Sequence, residues 1–235
     1  MLFDMLRGTI DKIDIAMMLL SIPVVLISLS FHELAHGFIA YKLGDSTAKW
    51  QGRLTMNPLK HLDLMGSISM LFFGIGWAKP VQINPANFDN PKKGMALTGL
   101  AGPVSNLLLS FVSLVLYRIL ALVTELKFVL AGSMIYYVTN VKYGILDFIG
   151  LFLIILTMMN ITLAVFNLIP VPPFDGSRIF YFLLPDKYYF GVMRYERQIM
   201  LITLLALFSG VLDVPISLVT DGVLNLFNFV VGLVL

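Results

Sequence analysis

The chain has 235 residues, of which 58% are hydrophobic and only 13% charged, a composition that excludes both a water-soluble globular domain and a disordered chain. A net charge of +2 gives no sign of a nucleic-acid partner, and the absence of cysteine removes disulfides, thiolate metal sites and a cysteine nucleophile. What remains is a membrane protein, and the lipid bilayer is its first partner.

The opening, residues 1–17, mixes acids with bases and offers no small-residue cleavage site, so the first apolar segment is expected to stay in the mature protein. Residues 15–41 are mostly apolar and, at about 1.5 Å per residue, long enough to cross a hydrocarbon core of about 30 Å. Only His32, Glu33 and His36 interrupt this span, past its middle and toward Lys42. Residues 44–91 turn polar and irregular, with alternating, strand-like pieces at 50–56 and 80–83 and an apolar run at 68–77 that is too short to span. A re-entrant segment is expected there, because irregular backbone at membrane depth needs protein or a watery cavity to satisfy it. Residues 95–122 read as a second span carrying Gly99, Gly102 and Pro103, and 148–169 as a third that ends at Pro170, Pro172 and Pro173. A short apolar segment, 174–184, follows. Residues 199–212 begin a further span disturbed by Asp213 and Pro215, and 223–235 form a half-span or interfacial helix.

The fold class is thus an all-α polytopic membrane protein of four to six transmembrane helices, with a re-entrant, short β-strand region after the first. It forms one domain over 1–235, with a core at about 15–180 and extra helices at 197–235. Residues 42–93 hold seven Lys or Arg and 170–198 hold four, against two in 124–142. Cationic loops stay inside, so the first two regions are expected in the cytosol and the amino terminus outside.

His32-Glu33-Leu34-Ala35-His36 is an H-E-x-x-H pattern on a helix. Its i, i+4 spacing stacks two imidazoles on one face with a carboxylate beside them. Neutral imidazoles share a zinc ion well, and Glu33 is placed to take a proton from water that such an ion acidifies. Ionisable groups in a spanning segment are costly, and two of only three histidines fall at ligand spacing, which argues against chance. A hydrolytic zinc needs a third protein ligand and an open position. His61, Asp63, Asp147, Asp175, Glu196 and Asp213 are all available, and spacing does not choose among them. Asp175 has the proline-broken backbone that frees a side chain to turn back, yet it equally suits the N-cap of the segment after it.

FHELAHG at 31–37, NPLKHLD at 57–63, AGPVSN at 101–106 and NLIPVPPFDGSRI at 167–179 together resemble, in order, the site-2 protease family of intramembrane zinc metalloproteases. The resemblance covers most of 28–179. It implies one zinc per chain on His32, His36 and Asp175, with Glu33 as the catalytic base. It also places Asn167 beside the active site, where an amide donates to an oxyanion or to the substrate. Some members insert a PDZ domain or append a regulatory domain; the spacing here leaves room for neither, so the minimal form is expected. Asn106 and Asn160 are expected to bond neighbouring helices. His61 and Asp63 read as polar loop residues, and Lys79 and Arg178 as markers of the cytosolic interface.

The expected activity is hydrolysis of peptide bonds in or near the transmembrane segments of membrane-protein substrates, single-span ones foremost, from a multi-pass position in the cell membrane with the site toward the cytosol. Water then needs a polar path near Lys42 and the 170s loop, and an unpaired edge within 50–84 is expected to hold the unwound substrate by strand addition. A metal-binding or transport protein with the same ligands is the alternative, but it leaves Glu33 without a purpose. A peptidase for soluble peptides at the membrane surface fits poorly with the depth of the histidines.

Overall fold

The computed structural model describes residues 12–63, 78–124, 128–131, 134–137, 144–185, 187–188, 192 and 194–233, with side chains from Leu19 onward outside the two strands. In chain order the elements are α1 (Lys12–Lys42), α2 (Thr47–Trp50), α3 (Pro91–Val123), β1 (Phe128–Ala131), β2 (Met134–Tyr137), α4 (Ile145–Asn167), α5 (Gly176–Leu183), α6 (Glu196–Phe208) and α7 (Asp213–Gly232). Within these, Leu19–Lys42, Pro91–Val123, Ile145–Asn167 and Asp213–Gly232 are long and apolar enough to cross a membrane.

Local chemistry sets the helix ends. Asn90 caps α3 by accepting from the Lys93 N–H, and Pro91 fills the first helical position, where its missing N–H costs nothing. Asp147 accepts from the Gly144 N–H at the start of α4. Helix α4 stops at Asn167, short of Pro170, Pro172 and Pro173, and the short α5 resumes at Gly176.

Helices α1, α3 and α4 pack on one another around the site. Away from it, Leu114 and Tyr117 of α3 bury against Leu151 and Ile154 of α4 and Val231 of α7. Lower down α4, Met158, Ile161 and Val165 close over Leu224 of α7. The seam shared by α1, α3 and α4 is polar and small instead: Ser28, Gly102, Asn106, Ser110, Thr157 and Asn160 are all buried there. In lipid, apolar burial drives little helix association, so close approach and interhelical hydrogen bonds carry this seam. Outward faces keep large apolar side chains such as Leu108, Leu122, Leu218 and Phe229 exposed, as lipid contact requires.

Two expectations are corrected. The pieces at 50–56 and 80–83 are not strands: Trp50 closes α2, the following residues turn, and 79–84 is extended without a ladder. The reason is that other groups take the bonds a ladder would use. The buried Arg53 guanidinium donates to the carbonyls of Lys79 and Pro80 at 2.6 and 3.1 Å, the Lys79 N–H goes to the His61 carbonyl, and the Val81 N–H goes to Glu33. The Lys79 N–H and C=O, the Pro80 C=O and the Val81 N–H are therefore already taken. Among the described residues the ladder lies elsewhere, in the antiparallel pair β1 and β2 (Phe128↔Tyr137 to Ala131↔Met134), with one isolated bridge at Leu62 and Ala78. The proposed re-entrant run, 68–77, lies outside the described residues.

The second correction concerns the C-terminal third. Residues 199–212 are not a span interrupted by Asp213 and Pro215; α6 has 13 residues, about 20 Å, and turns at 209–212. Asp213 and Pro215 instead open α7, where a carboxylate suits the positive end of the helix dipole and proline is tolerated in the first turn. The segment 223–235 belongs mostly to that full span.

Candidate metal centre

His32 and His36 lie one turn apart on α1, their rings nearly perpendicular at 84° with centroids 4.5 Å apart. Their Nε2 atoms are 3.0 Å apart, and Asp175 Oδ2 sits 3.0 Å from one and 3.1 Å from the other. His32 and His36 are 5% and 6% exposed, while the Asp175 side chain keeps 18%, so the cluster is closed on the helix side and open on the carboxylate side. Asp175 occupies the N-cap position of α5 but makes no capping hydrogen bond, and its carboxylate goes to the imidazoles. Of the six candidates for a third partner, Asp175 is the one that joins the histidines among the described residues.

Two local features bring Asp175 there, and a third makes room for the rings. The prolines after α4 deny the backbone a helix, and Gly176 lets α5 start against the end of α4: a Cβ at Gly176 would stand 2.3 Å from the Leu168 carbonyl oxygen. Gly102 of α3 does the same for the rings, since a Cβ there would lie 2.4 Å from His36 Nε2 and 2.5 Å from His32 Cε1. The space in front of the imidazoles exists because α3 has no side chain at that point.

The donor set fits a metal ion. His36 Nδ1 lies 2.7 Å from the Thr98 carbonyl, which only accepts, so Nδ1 carries the proton and Nε2 a lone pair. His32 Nδ1 is likewise paired, with Asn106 Oδ1. Two lone pairs and a carboxylate oxygen thus converge with no proton to share, an arrangement that repels itself unless a cation sits between them. The triangle sides of 3.0, 3.0 and 3.1 Å come within a few tenths of the spacing of about 3.3–3.4 Å between neighbouring ligands on a tetrahedral zinc.

Glu33 is 8% exposed and stands outside this ligand cluster. Its Oε2 accepts from the Val81 N–H at 2.7 Å, which pins the carboxylate beside the histidines rather than on the ion. Asn167 ends α4, half-buried, and its amide donates to the Leu163 carbonyl at 2.9 Å. His61 is 2% exposed and is held by structural bonds: its Nε2 donates to the Thr55 carbonyl and its own carbonyl accepts from Lys79. Neither His61 nor Asp63 joins the metal cluster. Lys79 is exposed, whereas Arg178 is half-buried and reaches Met95 Sδ at 3.6 Å. The contacts missed in the sequence are backbone ones: nothing in the residue types at 81 or 98 announces that their N–H and C=O groups hold Glu33 and His36.

Four helices long and apolar enough to cross a membrane, a buried His-His-Asp cluster and a carboxylate on the same helical turn define a membrane metallopeptidase of the site-2 protease type. The chain belongs to Peptidase family M50, whose model matches residues 20–208. Among curated proteins it is similar to "Putative zinc metalloprotease YwhC" of Bacillus subtilis, at 41% identity over 161 residues, covering 68% of this chain and 67% of that one. It also resembles "Putative zinc metalloprotease Rip2" of Mycolicibacterium smegmatis (28% identity, 64% of this chain and 52% of the relative). A third relative is "Putative zinc metalloprotease MJ0611" of Methanocaldococcus jannaschii (29%, 63% and 62%). The chain therefore spans between half and two thirds of the length of these relatives. No solved structure matches it significantly.

Proposed function

We propose that the protein is a zinc endopeptidase that cleaves membrane-protein substrates, single-span ones foremost, within or near their transmembrane segments. The observation that carries this reading is the convergence of two imidazole lone pairs and the Asp175 carboxylate beside Glu33, against the Lys42-proximal half of a helix long enough to cross the bilayer. His32, His36 and Asp175 hold the zinc. The ion supplies Lewis acidity, lowering the pKa of a water to about 7 and polarising the scissile carbonyl.

Glu33 takes the proton from the attacking water and returns it to the leaving amine. Its bond to the Val81 N–H keeps the carboxylate aimed while leaving its second oxygen for that exchange. Asn167, eight residues before Asp175, is the side chain we assign to the substrate or the oxyanion; its intrahelical bond to Leu163 uses one N–H and leaves the other. The cationic stretches 42–93 and 170–198 support a site facing the cytosol, with water entering where Asp175 is exposed. A transport function with the same ligands leaves both Glu33 and its backbone clamp unexplained.

The test is cleavage of a model single-span substrate by protein of known zinc content. Glu33→Gln is expected to keep one zinc and lose activity by about 10²-fold or more, as loss of general base catalysis requires. Asp175→Ala is expected to lose the zinc as well. Cleavage retained by Glu33→Gln would sink the mechanism.

A further inference from the structure

Three uncharged side chains from three helices are fully buried next to the ligands: Ser28 of α1, Asn106 of α3 and Asn160 of α4. Simple helix glue requires only that they bond across the seams. Their bonds also have a single direction, and backbone carbonyls fix it. One end of the Asn160 amide lies 2.7 Å from the Leu156 carbonyl, which only accepts, so that end is the NH2 group. The same nitrogen donates to Ser28 Oγ at 2.8 Å, whose own proton goes to the Val24 carbonyl at 2.7 Å. Asn160 Oδ1 is thereby turned toward α3, where Asn106 Nδ2 donates to it at 2.6 Å and to the Ser28 carbonyl at 3.3 Å. That leaves Asn106 Oδ1 for His32 Nδ1, 2.5 Å away. An amide oxygen only accepts, so the proton of His32 resides on Nδ1, and Nε2 turns its lone pair to His36 and Asp175.

We infer that Asn106, Asn160 and Ser28 form a positioning relay that selects the tautomer and orientation of His32, and so sets the affinity of the metal site. The hydrogen bonds of the Asn160 and Ser28 side chains go to groups other than the three ligands. The inference rests on the reading that His32, His36 and Asp175 hold zinc. Against His32 alone either end of the Asn106 amide would suit an imidazole nitrogen. Asn160, at 2.6 Å, and the longer contact to the Ser28 carbonyl, at 3.3 Å, remove that ambiguity. If Asn106 flipped, its NH2 would face His32 Nδ1, force the lone pair there, and put the ring proton on Nε2 in the path of the ion. Partners of this kind typically change metal affinity by about 10–100-fold when lost.

The test uses the full chain in detergent. Zn2+ affinity is measured by competition with a chromophoric chelator, the visible absorption of the Co2+-loaded protein reports ligand geometry, and melting of the metal-free protein reports the fold. Asn106→Leu and Asn160→Leu are expected to bind zinc about 10–100-fold more weakly with altered cobalt spectra, and Ser28→Ala to show a smaller loss. Asn160→Asp keeps an oxygen facing Asn106 and is expected to retain zinc affinity within about threefold, well inside the loss seen when such a partner is removed. Wild-type affinity and spectrum in Asn160→Leu, or equal losses in Asn160→Asp and Asn160→Leu, would overturn the relay. If Asn106→Leu does not fold, the Asn160 pair decides. His36→Ala separates the two levels: zinc retained there overturns the ligand assignment, whereas zinc lost there with unaffected Asn160 variants overturns the relay alone.

Discussion

Gly102 shows how one missing side chain makes a metal site. By helix propensity, Gly102→Ala would gain about 1 kcal/mol in the interior of α3. The added Cβ would however stand 2.4–2.6 Å from the imidazole atoms that face the ion, and an imidazole anchored through Nδ1 does not move aside. The expected outcome is a variant that keeps its helix content but purifies with well under half the zinc, read by elemental analysis, and melts no higher than the wild type because overpacking offsets the gain in propensity. Of the site itself, His32, Glu33 and His36 were legible in the sequence because the i, i+4 spacing of a five-residue pattern and the cost of charge in lipid point the same way. Asp175 was legible only through its motif: five other residues were chemically equal until the proline-broken loop and Gly176 folded it back. The buried state of His61 was not legible, because it depends on the carbonyl of Thr55 and the amide of Lys79, which any residue supplies.

At the level of elements, the loop after α1 is fastened by one carboxylate. Asp45 is fully buried and accepts from the Thr47 N–H and hydroxyl, the Asn84 N–H and the Asn87 amide, tying the end of α1 to the turn Pro85–Asn87. Burial raises its pKa, but the Thr47 hydroxyl and the Asn84 and Asn87 donors outweigh it and hold the carboxyl below its ordinary value of 3.8. A depressed folded pKa means the stabilisation is present above that ordinary value and is lost as pH falls through the lowered one. Melting temperature of the wild type should therefore drop on acidification below about pH 4, and Asp45→Asn should be less stable at neutral pH with a flatter acid limb. An equal acid slope in both would refute this account. The same loop explains why its alternating pattern misled: Arg53, Glu33 and His61 satisfy the backbone of 79–81 from the side, so a strand-like sequence forms no ladder.

Across the whole molecule, three of the four spans were legible from hydropathy, whereas hydropathy begins the fourth, Asp213–Gly232, too early at 199, and the order of packing was not legible. The family match ends at residue 208, yet α7 beyond it lays Leu224 and Val231 into the clusters built on α3 and α4. Cavity formation costs stability even where water plays no part, so Leu224→Ala should lower the melting temperature by several degrees, on the order of what about 2 kcal/mol produces. Zinc stoichiometry should remain unchanged, because α7 supplies no ligand. A variant that lost zinc in proportion to stability would instead make α7 part of the site.

The bond between His32 and Asp175 joins positions 143 residues apart in the chain. During synthesis at about 5–20 residues per second, α1 enters the membrane on the order of ten seconds before its third ligand is made. Through that interval the histidine pair lacks its carboxylate partner, while Asn106 and then Asn160 arrive with α3 and α4. A nascent chain thus carries the nucleophile-generating half of a protease without the power to cut itself or its neighbours. On the function proposed above, hydrolysis would become available only once Asp175 has folded back onto the histidines, so the order of synthesis itself would delay activation.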